Sequence, residues 1–127
     1  MPKLKFDHCV IHVSDWERSN AFYRDVMGAE VIRRGQGWVY RFGDMQLNCH
    51  GPGLDPTSGG AAAGSTRQQR LVLRMAGADR CGARRISQAH GVAIELGPVE
   101  RHAARGKGTS VYFRDPDGSL LEFISYA

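Results

Sequence analysis

The sequence predicts an α+β fold made of two βαβββ modules in one 127-residue domain. Two observations carry the prediction. The order strand, helix, three short strands can be read before residue 53 and again after residue 67. The repeat also keeps its spacing: the predicted helix ends at Gly28 and Gly91 lie 63 residues apart, and the strand starts at His8 and Arg70 lie 62 apart. Module one covers about 5–53, a linker about 54–66, and module two about 67–127.

The first element is 8–13, His-Cys-Val-Ile-His-Val, whose β-branched residues suit a buried strand. Ser14 with Glu17 forms a capping box that starts a helix. Trp16, Tyr23 and Met27 recur on one face of it, and Gly28 stops it by taking the left-handed turn. Three strands follow at 29–34, 38–43 and 45–50, punctuated by Gly35-Gln36-Gly37 and Gly43-Asp44. The Gly-rich stretch 51–66, with Pro52 and Pro56, reads as a linker or as a loop over a site. A strand at 69–75 and a helix at 78–90 open the second module. A weakly alternating segment at 92–96 follows. Strands at 109–114 and 119–126 flank Asp115-Pro116-Asp117-Gly118, whose Pro and Gly suit a type I turn.

Composition excludes several classes. Hydrophobic residues are 42% and charged residues 24%, a globular balance and not that of a disordered chain. No apolar run reaches the ~18 residues of a membrane helix, and a cytoplasmic location is expected. Cys9, Cys49 and Cys81 show no metal-knuckle or disulfide spacing and read as free thiols. The formal charge of +4 rests on Arg67, Arg70, Arg74, Arg80, Arg84 and Arg85; without these six it would be −2. No zinc-finger or RNP pattern accompanies them, so nucleic acid is not the expected partner. They read as an anion-binding group, as a solvated dimer rim, or as the product of a local change of reading frame.

Glu122, inside Leu120-Leu121-Glu122-Phe123-Ile124, is costly to bury unless it is paired or bound to a metal. His8 and His12 share one face of the first strand, and Asn48 and His50 one face of the fourth. If the repeat is real, His8 corresponds to Arg70 and Asn48 to Glu122. Two modules meeting face to face would gather these positions into a cleft.

Asp7-His8-Cys9-Val10-Ile11-His12-Val13-Ser14-Asp15, Ser19-Asn20-Ala21-Phe22-Tyr23 and Val26-Met27-Gly28-Ala29 resemble the opening of the vicinal oxygen chelate superfamily. Gly108-Thr109-Ser110-Val111-Tyr112-Phe113, Asp115-Pro116-Asp117-Gly118 and Leu121-Glu122-Phe123 resemble its closing pattern. That superfamily includes glyoxalase, extradiol dioxygenases, and fosfomycin and bleomycin resistance proteins. The small single-chain glyoxalase-dioxygenase-like subgroup is the most similar.

The resemblance implies curved mixed sheets forming a cleft, a homodimer and a divalent metal (Fe, Ni, Zn or Mn). It implies His8 and Glu122 as metal ligands, with Glu122 also as the catalytic base. Arg70 stands where the family often has a histidine, and it cannot bind a metal because it stays protonated. Asn48 stands where glyoxalase has a glutamate. His50, one pleat from Asn48, is taken as the third ligand, and Asn48 and Arg70 as substrate-binding residues. The implied function is lyase or isomerase chemistry on a small oxygen-rich substrate through a metal-stabilised enediolate. An Fe(II) extradiol dioxygenase is one alternative. A non-catalytic drug-binding dimer walled by Trp38, Tyr40 and Tyr112 is another.

Overall fold

A computed structural model describes residues 2–53, 70–74 and 90–126. The chain divides into two compact units, Met1–Arg67 and Gln68–Ala127. Each contains one curved, mixed, four-stranded sheet, the α+β arrangement that the sequence predicts.

In the first unit β1 is His8–His12, and a six-residue α-helix, α1, runs Trp16–Ala21. Its cap is Asp15, whose Oδ1 accepts from the Arg18 N–H at 3.0 Å, and not Ser14 as the capping box implied. Both residues are good caps, and the one chosen has the extended φ of −141° that a cap requires. A π-helical turn, Phe22–Val26, continues α1. Gly28 ends it at φ +71°, a conformation that a Cβ would strain. Strands β2 (Glu30–Arg34), β3 (Gly37–Phe42) and β4 (Met45–His50) complete the sheet in the order β1-β4-β3-β2. β1 lies parallel to β4, and the other pairs are antiparallel.

Alternation sorts this sheet into two faces. Ile11, Tyr40, Leu47 and Cys49 point to the helix and are buried. Tyr23 stacks on Tyr40 with centroids 4.4 Å apart. Tyr40 Oη donates to Asn20 Oδ1 at 2.8 Å and lies 2.7 Å from Ser19 Oγ. A buried phenol of this size is tolerated only because its hydroxyl is bonded. Tyr40→Phe should therefore cost about 1–3 kcal/mol in urea unfolding, because Ser19 keeps a buried hydroxyl without this partner. A neutral result would mean that Ser19 finds another acceptor. Tyr40 is thus a core residue, not a wall of a binding surface. Trp38 shares its face and lies under the Arg33 guanidinium.

In the second unit β5 is Arg70–Arg74, β6 Leu96–Ala103, β7 Gly106–Arg114 and β8 Leu120–Ser125. The order β5-β8-β7-β6 repeats that of the first unit, again with a parallel first pair. Leu71, Val111, Phe113, Leu121 and Phe123 form its apolar face, with Phe113 and Phe123 edge-to-face at 4.9 Å. The turn before β8 closes through Gly118 N–H to the Asp115 carbonyl, while Asp115 Oδ1 accepts from the N–H groups of Asp117 and Ser119. The weakly alternating segment 92–96 is not itself a strand; β6 begins only at Leu96 and runs on to Ala103. β6 is an edge strand exposed along most of its length, so burial imposes no alternation on its sequence. The predicted helix 78–90 lies outside the described residues except for His90, as do most of the linker, Cys81, Arg67, Arg80, Arg84 and Arg85.

Candidate functional site

The strand registers place the candidate residues. In the first unit Val10 pairs with Asn48, and in the second Val72 pairs with Glu122. His8 and Arg70 each stand two residues earlier on the first strand. The correspondence of His8 with Arg70 and of Asn48 with Glu122 is therefore built into the two sheets.

On the first sheet the face turned away from α1 carries His8, Val10 and His12 beside Gln46, Asn48 and His50. His8 lies directly opposite Gln46, and Gln46 Nε2 donates to Asn48 Oδ1 at 2.7 Å. His50 lies opposite His12, four residues along β4 from the partner of His8. At ~3.3 Å per residue this is ~13 Å of strand, too far for two side chains standing off one face to converge on one ion. The register thus does not bring His8 and His50 together. It sets His8 among amides. His8 Nδ1 is 2.7 Å from Asp7 Oδ2. A carboxylate beside Nδ1 is the usual support for a histidine that ligates through Nε2.

On the second sheet Glu122 is 3% exposed, yet it lies on the face opposite the apolar core of Leu121 and Phe123. Its Oε2 accepts from Arg70 Nη2 at 2.8 Å. The same nitrogen donates to Tyr112 Oη at 3.0 Å, and Tyr112 is the register partner of Glu122 on β7. Arg101, from β6, donates through Nε to the same phenol oxygen at 3.1 Å. Both guanidinium carbons lie over the Tyr112 ring, at 5.3 and 5.7 Å from its centroid. Burial of Glu122 works to raise its pKa. The hydrogen bond from Arg70, the Ser110 and Tyr112 hydroxyls and the charge of Arg70 together outweigh burial and hold the carboxyl below the usual glutamate range. Glu122 is therefore a carboxylate at neutral pH.

This geometry tests whether either unit fits a divalent metal. In the second, Glu122 is engaged by a permanent cation and its other neighbours are hydroxyls, which are poor partners for a metal ion. In the first, His8 is a competent donor, but the carboxylate beside it, Asp7, is engaged with its Nδ1. Within either unit, no three His, Cys, Asp or Glu side chains among the described residues gather around a common point. The residues of each unit, taken alone, do not fit the three-ligand site.

Asp7, Gln46 and Arg101 belong to these constellations and were not singled out as site residues from the sequence; Tyr112 was noted only as an apolar wall. Gln46 and Tyr112 could be found from alternation once the strand registers are known. Asp7 adjoins His8 in the opening motif. Arg101 left no signal, because its strand lacks one.

A family model described as the Glyoxalase/Bleomycin resistance protein/Dioxygenase superfamily matches residues 5–123. The chain is similar to the glyoxalase domain-containing protein RDO1 of Mycosarcoma maydis, with 35% identity over 94% of this chain and 67% of that protein. It is also similar to the virulence protein STM3117 of Salmonella typhimurium, 33% identical over 96% of this chain and 84% of the other. The crystal structure of that virulence protein covers the whole chain with a TM-score of 0.86. The crystal structure of a lactoylglutathione lyase from Agrobacterium tumefaciens has a TM-score of 0.72 over 99% of this chain and 96% of its own; at 21% identity it bears on the fold alone.

Proposed function

The chain belongs to the Glyoxalase/Bleomycin resistance protein/Dioxygenase superfamily, and from that premise we propose that it catalyses lyase- or isomerase-type proton transfer on a small oxygen-rich molecule, with Glu122 as the base. The observation that carries this is a buried, ionised carboxylate on the non-core face of its sheet that accepts from Arg70, with the Tyr112 hydroxyl, itself an acceptor from Arg70, beside it.

The chemistry follows from those groups. A C–H bond beside a carbonyl breaks, its proton passes to Glu122, its electron pair forms a carbon–carbon double bond, and the π pair of the carbonyl moves to the oxygen. Arg70 and Tyr112 offer hydrogen bonds to the oxyanion that develops. Arg70 at first lowers the basicity of Glu122. A substrate oxygen that draws the guanidinium to itself leaves the carboxylate buried and less paired, which makes it the stronger base.

The test is proton–deuterium exchange in D2O, followed by NMR, across a panel of α-hydroxycarbonyl and α-dicarbonyl compounds. Exchange at the carbon next to the carbonyl is expected, and Glu122→Gln should reduce it at least ~100-fold, within the range a general base contributes. Binding of these compounds without exchange would favour the non-catalytic binding protein instead.

The Asp7–His8 pair favours a second, metal-dependent reading, and superfamily members commonly use divalent metals. Because Arg70 already neutralises Glu122, protein purified without chelator should show the same exchange before and after metal depletion. One divalent ion per chain, lost in both His8→Ala and Glu122→Ala, would overturn that expectation. Nickel, zinc or manganese would then point to a metal-dependent lyase, and iron to a ring-cleaving dioxygenase. Members of the superfamily are often dimeric, and we propose a homodimer for this chain.

A further inference from the structure

We infer that Arg70 and Arg101 form a clamp across Tyr112 that binds an oxyanion group of the ligand, a carboxylate or a phosphate, and that this pair of guanidiniums supplies the positive charge of the second unit in place of a divalent ion. The inference deepens the proposed function by naming the chemical class that the Glu122 face recognises.

Three observations carry it. First, the two guanidiniums are gathered from opposite edges of the sheet, β5 and β6, onto one phenol oxygen on β7. Like charges repel, so such a gathering needs a negative partner. Second, Glu122 is the one carboxylate bonded within the group, so Arg70, Arg101 and Glu122 together carry a net +1. Arg101 otherwise donates only to the neutral Glu100 carbonyl, and no carboxylate pairs with it among the described residues. Third, both cations are open to solvent: the Arg70 side chain is 55% exposed and Arg101 is exposed, while the Tyr112 and Glu122 beneath them are buried.

The result is a rigid, uncharged ring with a planar fork on either side, a form suited to two-point binding of an oxyanion. Arg74 stands four residues further along the same face of β5 and adds a further positive charge to that face. Arg70 also occupies the position that corresponds to His8. The second unit thus holds a fixed cation where a histidine would hold a metal.

The experiment is calorimetric titration of the full chain, at low ionic strength, with inorganic phosphate and separately with acetate. At least one should bind, and the tighter of the two identifies the ligand group. Arg101→Gln should weaken that binding about 10-fold to 100-fold, the equivalent of one charge-assisted hydrogen bond. Arg101→Lys should recover part of it, and EDTA should change nothing. Arg101 is exposed, and an unchanged circular dichroism spectrum will show that the variant folds. The inference is overturned if neither anion binds, if Arg101→Gln binds as tightly as the parent, or if EDTA abolishes binding. Anion binding without deuterium exchange would retain the clamp and reject the base. Exchange without anion binding would do the reverse.

Discussion

Arg70→Met should destabilise the protein by about 1–3 kcal/mol at pH 7 and change the shape of its pH–stability curve. Removing one partner from a wholly buried pair costs about 3–5 kcal/mol, because the other charge stays behind. Here the arginine side chain is 55% exposed while that of Glu122 is 4% exposed, and solvent screening of the cation brings the expected cost into the lower range. The pH dependence separates this mechanism from a simple loss of packing. In the parent, Glu122 lies below its usual value near 4.5. Its contribution is therefore fully present above that value and is lost as pH falls through the lower, folded-state value. In the variant, burial is opposed only by the neighbouring hydroxyls and the folded-state value rises. Protonation then relieves the cost. Urea-unfolding curves from pH 3 to pH 8 should show two proteins far apart at neutral pH and converging in acid. A gap that is constant with pH would mean that Arg70 serves only as a packing group.

Most of the scaffold was legible because physical chemistry wrote it locally. β1, β4 and β8 lie within a residue of their predicted bounds, since each is a short run of strand-forming residues flanked by Gly or Asp. The repeat was legible through spacing, and the parallel registers of β1 with β4 and of β5 with β8 bear out its pairing of positions. What remained hidden depends on non-local choices. Whether His8 faces Gln46 or His50 is a question of register between strands more than thirty residues apart, and no local preference answers it. Arg101 was overlooked because β6 is exposed on both faces, so its residues carry no pattern. The charge of Glu122 was legible as a problem needing a partner. Its solution on an arginine, and not only on a metal, required the register between β5 and β8.

Gly97→Ala should be among the most damaging single-methyl changes in the chain, costing about 2–6 kcal/mol. Gly97 lies in β6 at φ +113°, outside the region that side chains adopt. A Cβ there would also stand 2.5 Å from the Ser110 carbonyl and 3.0 Å from Val111 Cα, both backbone atoms of the neighbouring β7. Neither atom can swing aside, so β6 and β7 must separate. Tyr112 is the next residue along β7, and Arg101 stands on β6; the displaced methyl therefore acts between the two strands whose spacing sets the 3.1 Å bond from Arg101 to Tyr112. Loss of stability should be accompanied by loss of anion binding even where the variant remains folded. Gly28→Ala is the matched control. It also has a positive φ, +71°, but a Cβ there meets nothing within 4 Å. Its cost should stay near the ~1 kcal/mol of backbone strain alone, with anion binding intact. Equal losses in the two variants, measured by thermal unfolding and phosphate titration, would mean that strain and not the approach of β6 to β7 is what Gly97 relieves.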